Sequence, residues 1–131
     1  MHSYSKTIAI SLACLFTAPV FADDFDGSKN LICATVEARD CVLQTECFTG
    51  EAKEIGAPAF FRLDFKAKTI IGPARTTPIK SIEPGAEAIL LQGFEVGYGL
   101  SVGIHKQTGD FSASMTNFEG TFLLFGSCTV L

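Results

Sequence analysis

The chain has 131 residues, 47% of them hydrophobic, with 14 acidic against 10 basic side chains and a net charge of −4. That length suits one small domain and is too short for most multi-layer enzyme folds. The acidic surplus argues against nucleic acid, which needs a basic face to displace phosphate counterions.

Residues 1–22 read as a cleaved secretory signal. His2 and Lys6 lie in a short polar start, an apolar stretch runs from Thr7 to Val20, and Val20-Phe21-Ala22 resembles a small-x-small cleavage site ahead of Asp23-Asp24. Removing them leaves 109 residues, nine basic against fourteen acidic side chains, and four of the five cysteines. A lipidation box at Ser11-Leu12-Ala13-Cys14 is the rival reading. It lacks Leu three residues before the Cys, and apolar sequence continues through Phe21 where a lipoprotein would show a polar tether. Beyond residue 22 no apolar run approaches the roughly 18 to 20 residues of a spanning helix. The expected product is a soluble protein of the periplasm or exterior.

Cys33, Cys41, Cys47 and Cys128 form an even set in an exported chain, the pattern of two disulfides made in an oxidising compartment. Zinc is disfavoured. The C-x7-C and C-x5-C spacings hold no tight chelating pair, and the one His past residue 22, His105, is remote from them in sequence. No metal or other cofactor is expected. Chain entropy does not choose among the pairings. Bridges 41–47 with 33–128 are worth about 2.4 and 4.7 kcal/mol, and 33–41 with 47–128 about 2.6 and 4.5 kcal/mol. Geometry does better. If Leu31 to Ala38 is extended, at roughly 3.3 Å per residue, Cys33 and Cys41 are too far apart to bridge. Cys41 and Cys47 flank a plausible bend, so 41–47 with 33–128 is expected. A helix over 31–41 would remove that premise.

The stretch from Leu31 to Ile55 is the least readable, and an extra strand, a short helix at Thr49 to Ile55, or both are compatible with it. From residue 58 the period is two. Phe61, Leu63 and Phe65 alternate with Phe60, Arg62 and Asp64, and Lys66-Ala67-Lys68 then turns the chain into Thr69-Ile70-Ile71. Gly72-Pro73 interrupts. Ile79 to Ile82 is a short strand, and Glu83-Pro84-Gly85-Ala86 predicts a type II turn with Gly85 at positive φ. Glu87 to Val96 follows. Next, Tyr98, Leu100, Val102 and Ile104 alternate with Gly99, Ser101, Gly103 and His105. A turn at 106–110 puts Gly109 at a left-handed position. Phe111, Ala113 and Met115 alternate with Ser112, Ser114 and Thr116, and Thr121 to Thr129 closes the chain. With no crossover helix in this stretch, the expected fold is mainly all-β. It is an antiparallel meander of about seven to eight strands in a small barrel or partial barrel, after a short irregular or helical N-terminal part.

Catalytic signals are sparse. Gly99-Leu100-Ser101-Val102-Gly103 matches the G-x-S-x-G nucleophile elbow, but it sits inside an alternating strand and no later His completes the order Ser, acid, His. His105 reads as a surface side chain near a turn, and Arg62 with Asp64 as a solvated polar face. Gly99, Ser101, Gly103 and His105 share one strand face whose small residues could admit a ligand, although glycines also relieve the bend of a coiled strand. Ten phenylalanines past residue 22 are mostly core, and a subset lining a pocket would look the same.

Read end to end, residues 23–131 resemble a group of small exported bacterial proteins of unknown function. Asp26-Gly27-Ser28-Lys29 before Leu31-Ile32-Cys33-Ala34, the Cys41 and Cys47 pair, Pro58-Ala59-Phe60-Phe61-Arg62-Leu63-Asp64-Phe65 and Phe125-Gly126-Ser127-Cys128 carry the resemblance. It implies no activity and no functional residue. Two expectations follow. One is a barrel-like binding module for an apolar or amphipathic ligand. The other is a structural or inhibitory envelope protein that works through a surface contact with another protein. An enzyme is not expected.

Overall fold

The computed structural model describes residues 23–131. The expected signal peptide and the lipidation alternative at Cys14 both lie outside the described residues.

Among the described residues, alternation of β-branched and aromatic side chains with small or polar ones yields nine strands. They are β1 (Leu31–Val42), β2 (Phe48–Gly50), β3 (Phe60–Asp64), β4 (Thr69–Ile71), β5 (Thr76–Pro84), β6 (Ala88–Glu95), β7 (Tyr98–His105), β8 (Asp110–Thr116) and β9 (Gly120–Val130). All neighbours are antiparallel. From β3 to β9 the chain is a meander, and β1 closes it by pairing with β3 on one side and β9 on the other. The result is a closed eight-stranded barrel, with β2 as one extra strand on β1.

The segment after β1 holds an extra strand and a short helix, the helix starting at Ala52 rather than Thr49 because Thr49 and Gly50 pair with β1. β2 is followed by a 3-10 helix (Ala52–Ile55), where the Glu54 carboxylate accepts the Glu51 N–H at 2.6 Å and Gly56 caps the far end at φ 73°. One turn differs from expectation. Gly85 has no positive φ, and its N–H donates to the Ala88 carbonyl at 2.8 Å. β5 runs through Pro84, which pairs with Ile89, so the bend falls at Ala86-Glu87. Pro84 tolerates this place because β4 pairs with β5 only as far as Pro78, which leaves that side of β5 an unpaired edge at Pro84. Gly109 does occupy the left-handed region, at φ 76°.

Two irregularities shape the barrel. Register shifts between Thr35 and Glu37 in β1 and between Ile79 and Ser81 in β5, leaving Val36 and Lys80 as extra residues on the outside. Near the first bulge the backbones of β1 and β9 approach closely. A Cβ on Gly126 would lie within 1.9 Å of the Ala34 carbonyl oxygen, so only glycine fits.

Inward side chains form rows across the register. Ile89, Ile104 and Phe111 make one; Leu91, Val102, Ala113 and Leu124 make the next; Gly93, Leu100, Met115 and Phe122 make a third. The first two are buried almost completely. Phe25, packed on the core, seals that end from below, where its N–H donates to the Lys106 carbonyl at 3.2 Å. Cys33 and Cys128 face each other across β1 and β9 and are bonded, both buried. Cys41 and Cys47 are bonded at the opposite, open end, closing the bend between β1 and β2. Two disulfides fit an oxidising, extracytoplasmic environment. Among the described residues no helix is long and apolar enough to cross a membrane.

Candidate functional site

The third inward row does not meet across the barrel. Gly93 contributes no side chain, because β5 bulges toward it and a Cβ there would come within 2.5 Å of the Pro78 carbonyl oxygen. Leu100, Met115 and Phe122 are only partly buried, and they surround a cavity of about 410 Å³ inside the open half of the barrel. That volume falls in the range of small-molecule sites. Val102, Ala113 and Leu124 form its floor, continuous with the packed core.

The mouth has two unlike sides. Ile55 to Pro58, just after the 3-10 helix, joins Met115 and Phe122 to make one side apolar. Tyr98 leans against Phe122 with ring centroids 6.0 Å apart. On the other side Arg75 from the β4–β5 loop, Thr77 of β5 and Glu95 of β6 bring polar groups to the rim. Strand alternation explains Glu95, which follows Ile89, Leu91 and Gly93 on the inward face of β6. The Thr77 hydroxyl donates to the Glu95 carboxylate. Neither Arg75 nor Glu95 takes part in an ion pair among the described residues.

The face expected to admit a ligand lies elsewhere. Gly99, Ser101, Gly103 and His105 point outward from β7, away from the cavity, which their alternation partners Leu100 and Val102 line. Gly99 and Ser101 border a shallow depression on the outer wall beside Phe94 and Gln92. His105 serves its turn, with Nδ1 at 3.3 Å from the Thr108 N–H. Four residues along a strand separate Ser101 from His105, roughly 13 Å and far beyond hydrogen-bond reach. Arg62 is exposed on β3, while Asp64 accepts the Ala67 N–H at 2.8 Å and shapes the β3–β4 turn. Among the described residues no three His, Cys, Asp or Glu side chains converge on a possible metal position.

Sequence reading missed Arg75, Thr77, Glu95 and the segment from Ile55 to Pro58. Only Glu95 left a trace, as a charge at an inward position of an otherwise apolar alternation. The others come from loops and strand ends that closure of the barrel brings together. No family model matches the chain, and no curated protein or solved structure matches it.

Proposed function

We propose that the protein is an exported binding module, periplasmic or secreted, that holds an apolar or amphipathic small molecule in the open half of its barrel. The observation that carries this reading is the cavity of about 410 Å³, apolar in its depth and open at one end of an otherwise packed barrel. A barrel of eight strands is ordinarily just wide enough to be filled by side chains or to hold one small ligand. Here side chains fill one half and leave the other open. A ligand buried beside Leu100, Met115 and Phe122 would gain about 25 cal/mol for each Å² of apolar surface removed from water.

Native mass spectrometry of the oxidised protein, purified from its own compartment, tests the reading together with one variant. Ala113 is 6% exposed on the cavity floor, so Ala113→Phe fills the space from below. The expected result is a co-purifying small mass that disappears in the variant while the variant keeps its fold by circular dichroism. A wild-type protein with no bound mass, and no thermal shift with any member of an apolar and amphiphile panel, sinks the proposal.

A second reading rests on a different observation. Leu43, Val96 and Phe118 are exposed, Phe118 at 96%, on three loops at the open end. β7–β8–β9–β1 adjacency makes these loops neighbours along the rim. Such tips suit an envelope protein acting through a surface contact. Under that reading a Leu43→Ser/Phe118→Ser variant loses its partner in a pull-down and Ala113→Phe does not.

A further inference from the structure

The cavity reading leaves the head of the ligand unassigned, and the mouth restricts it. Two opposite charges sit on the same side of the opening, Arg75 on the β4–β5 loop and Glu95 on β6, and no ion pair joins them. One carboxylate face of Glu95 already takes the Thr77 hydroxyl, which leaves it further acceptor capacity. Arg75 offers only donors. A carboxylate head placed there would gain Arg75 and be repelled by Glu95, and an ammonium head would meet the reverse. A neutral head with both a donor and an acceptor uses both side chains and suffers neither repulsion.

The geometry points to an uncharged amphiphile, a hydrocarbon chain ending in an amide or hydroxyl head, as the ligand of this cavity, an inference that rests on the cavity being a binding site. Its size follows from the volume. At about 30 Å³ per non-hydrogen atom, the share of one water in the liquid, about 410 Å³ takes on the order of a dozen such atoms. The chain lies on Leu100, Met115 and Phe122, and the head lies at the rim between Arg75 and Glu95. Decanamide has the right size and head.

Isothermal titration of the oxidised protein with decanamide, decanol, decanoate and decylamine at neutral pH separates the possibilities. Decanamide is expected to bind about tenfold more tightly than either charged homologue, with decanol between. Glu95→Gln should strengthen decanoate binding about tenfold and leave decylamine weak. Arg75→Gln should strengthen decylamine binding by a similar factor and leave decanoate weak. Two results overturn the head assignment while sparing the cavity: a charged homologue binding tightest to the wild type, or all four binding alike with both variants unchanged. If none of the four binds and Ala113→Phe changes nothing, the cavity reading itself fails and this inference falls with it.

Discussion

The two ends of this barrel are built from the same strands and differ in what fills them. At the end sealed by Phe25, the inward side chains Leu31, Leu63, Ile89 and Ile104 are at most 1% exposed. At the other end the inward positions fall to Gly93, Leu100, Met115, Glu95 and Tyr98, and they leave a cavity. The strand pattern is equally regular in both halves. Stability therefore resides in one end and accessible surface in the other, a division that lets a small domain expose an apolar pocket without giving up its core.

The largest expected effect concerns the two disulfides. Removing the buried bridge by Cys33→Ala/Cys128→Ala should cost about 4 to 5 kcal/mol, because it releases a loop of most of the domain. Removing the exposed bridge by Cys41→Ala/Cys47→Ala, which closes a short bend, should cost about 2.4 kcal/mol. Urea unfolding of both variants measures the gap. Equal losses would break the distinction between a structural end and a permissive one.

Core truncation comes next. Leu91 is fully buried in the second row, so Leu91→Ala should cost about 2 to 5 kcal/mol. Leu100, on the cavity wall, already faces open space on one side, and Leu100→Ala should cost less than half as much. Thermal unfolding of the pair is the check. A Leu100→Ala loss as large as that of Leu91→Ala would mean that the open half is as tightly packed as the closed one.

Val96 provides a smaller test with the opposite sign. The β6–β7 hairpin turns through Val96 at φ 50° and Gly97 at φ 81°, the pattern of a type I′ turn that favours Asn-Gly. A β-branched residue is strained at positive φ. Val96→Asn should stabilise the fold by about 1 kcal/mol, read as a raised unfolding midpoint. No gain would show that the exposed Val side chain makes up for its backbone within the folded chain.

The smallest effect is one of pH at the sealed end. The Ser28 side chain, then the Ser28 backbone N–H at 2.9 Å, hold the Asp26 carboxyl below its ordinary value of 3.8. A lowered folded-state pKa adds stability above the ordinary value, and that contribution disappears as pH falls through the lowered one. Asp26→Asn should therefore lose a little stability at neutral pH and none at strongly acid pH, so the two unfolding curves converge on acidification. A difference independent of pH would rule out the carboxylate as its source.

Much of the fold was legible from local pattern. Period-two alternation from Phe60 onward located β3 to β9, since each strand of a closed barrel shows one face to the core and one to water. The extended reading of Leu31 to Ala38 was enough to separate Cys33 from Cys41, and the bonds found are 33–128 and 41–47. Pro84-Gly85 misled because β5 continues through Pro84, which pairs with Ile89, and the Gly85 N–H bonds the Ala88 carbonyl, so the bend moves on to Ala86-Glu87. The candidate site was less legible. The Gly99, Ser101 and Gly103 stripe stood out by composition but faces outward, as its alternation with Leu100, Val102 and Ile104 implies; what the chain did not show is that the inward face leaves a cavity at Leu100.

By itself, then, the sequence determined a single β class, its turns at Gly109 and Lys66-Ala67-Lys68, and four cysteines suited to two bridges, because these depend on neighbours within a few residues. Closure, the extra strand β2 and the cavity were decided only by tertiary structure. Each depends on residues far apart in the chain: Ala34 against Gly126, Pro78 against Gly93, and Arg75 with Glu95 at one rim. Such pairs meet when β1 docks between β3 and β9, and no local preference encodes that meeting.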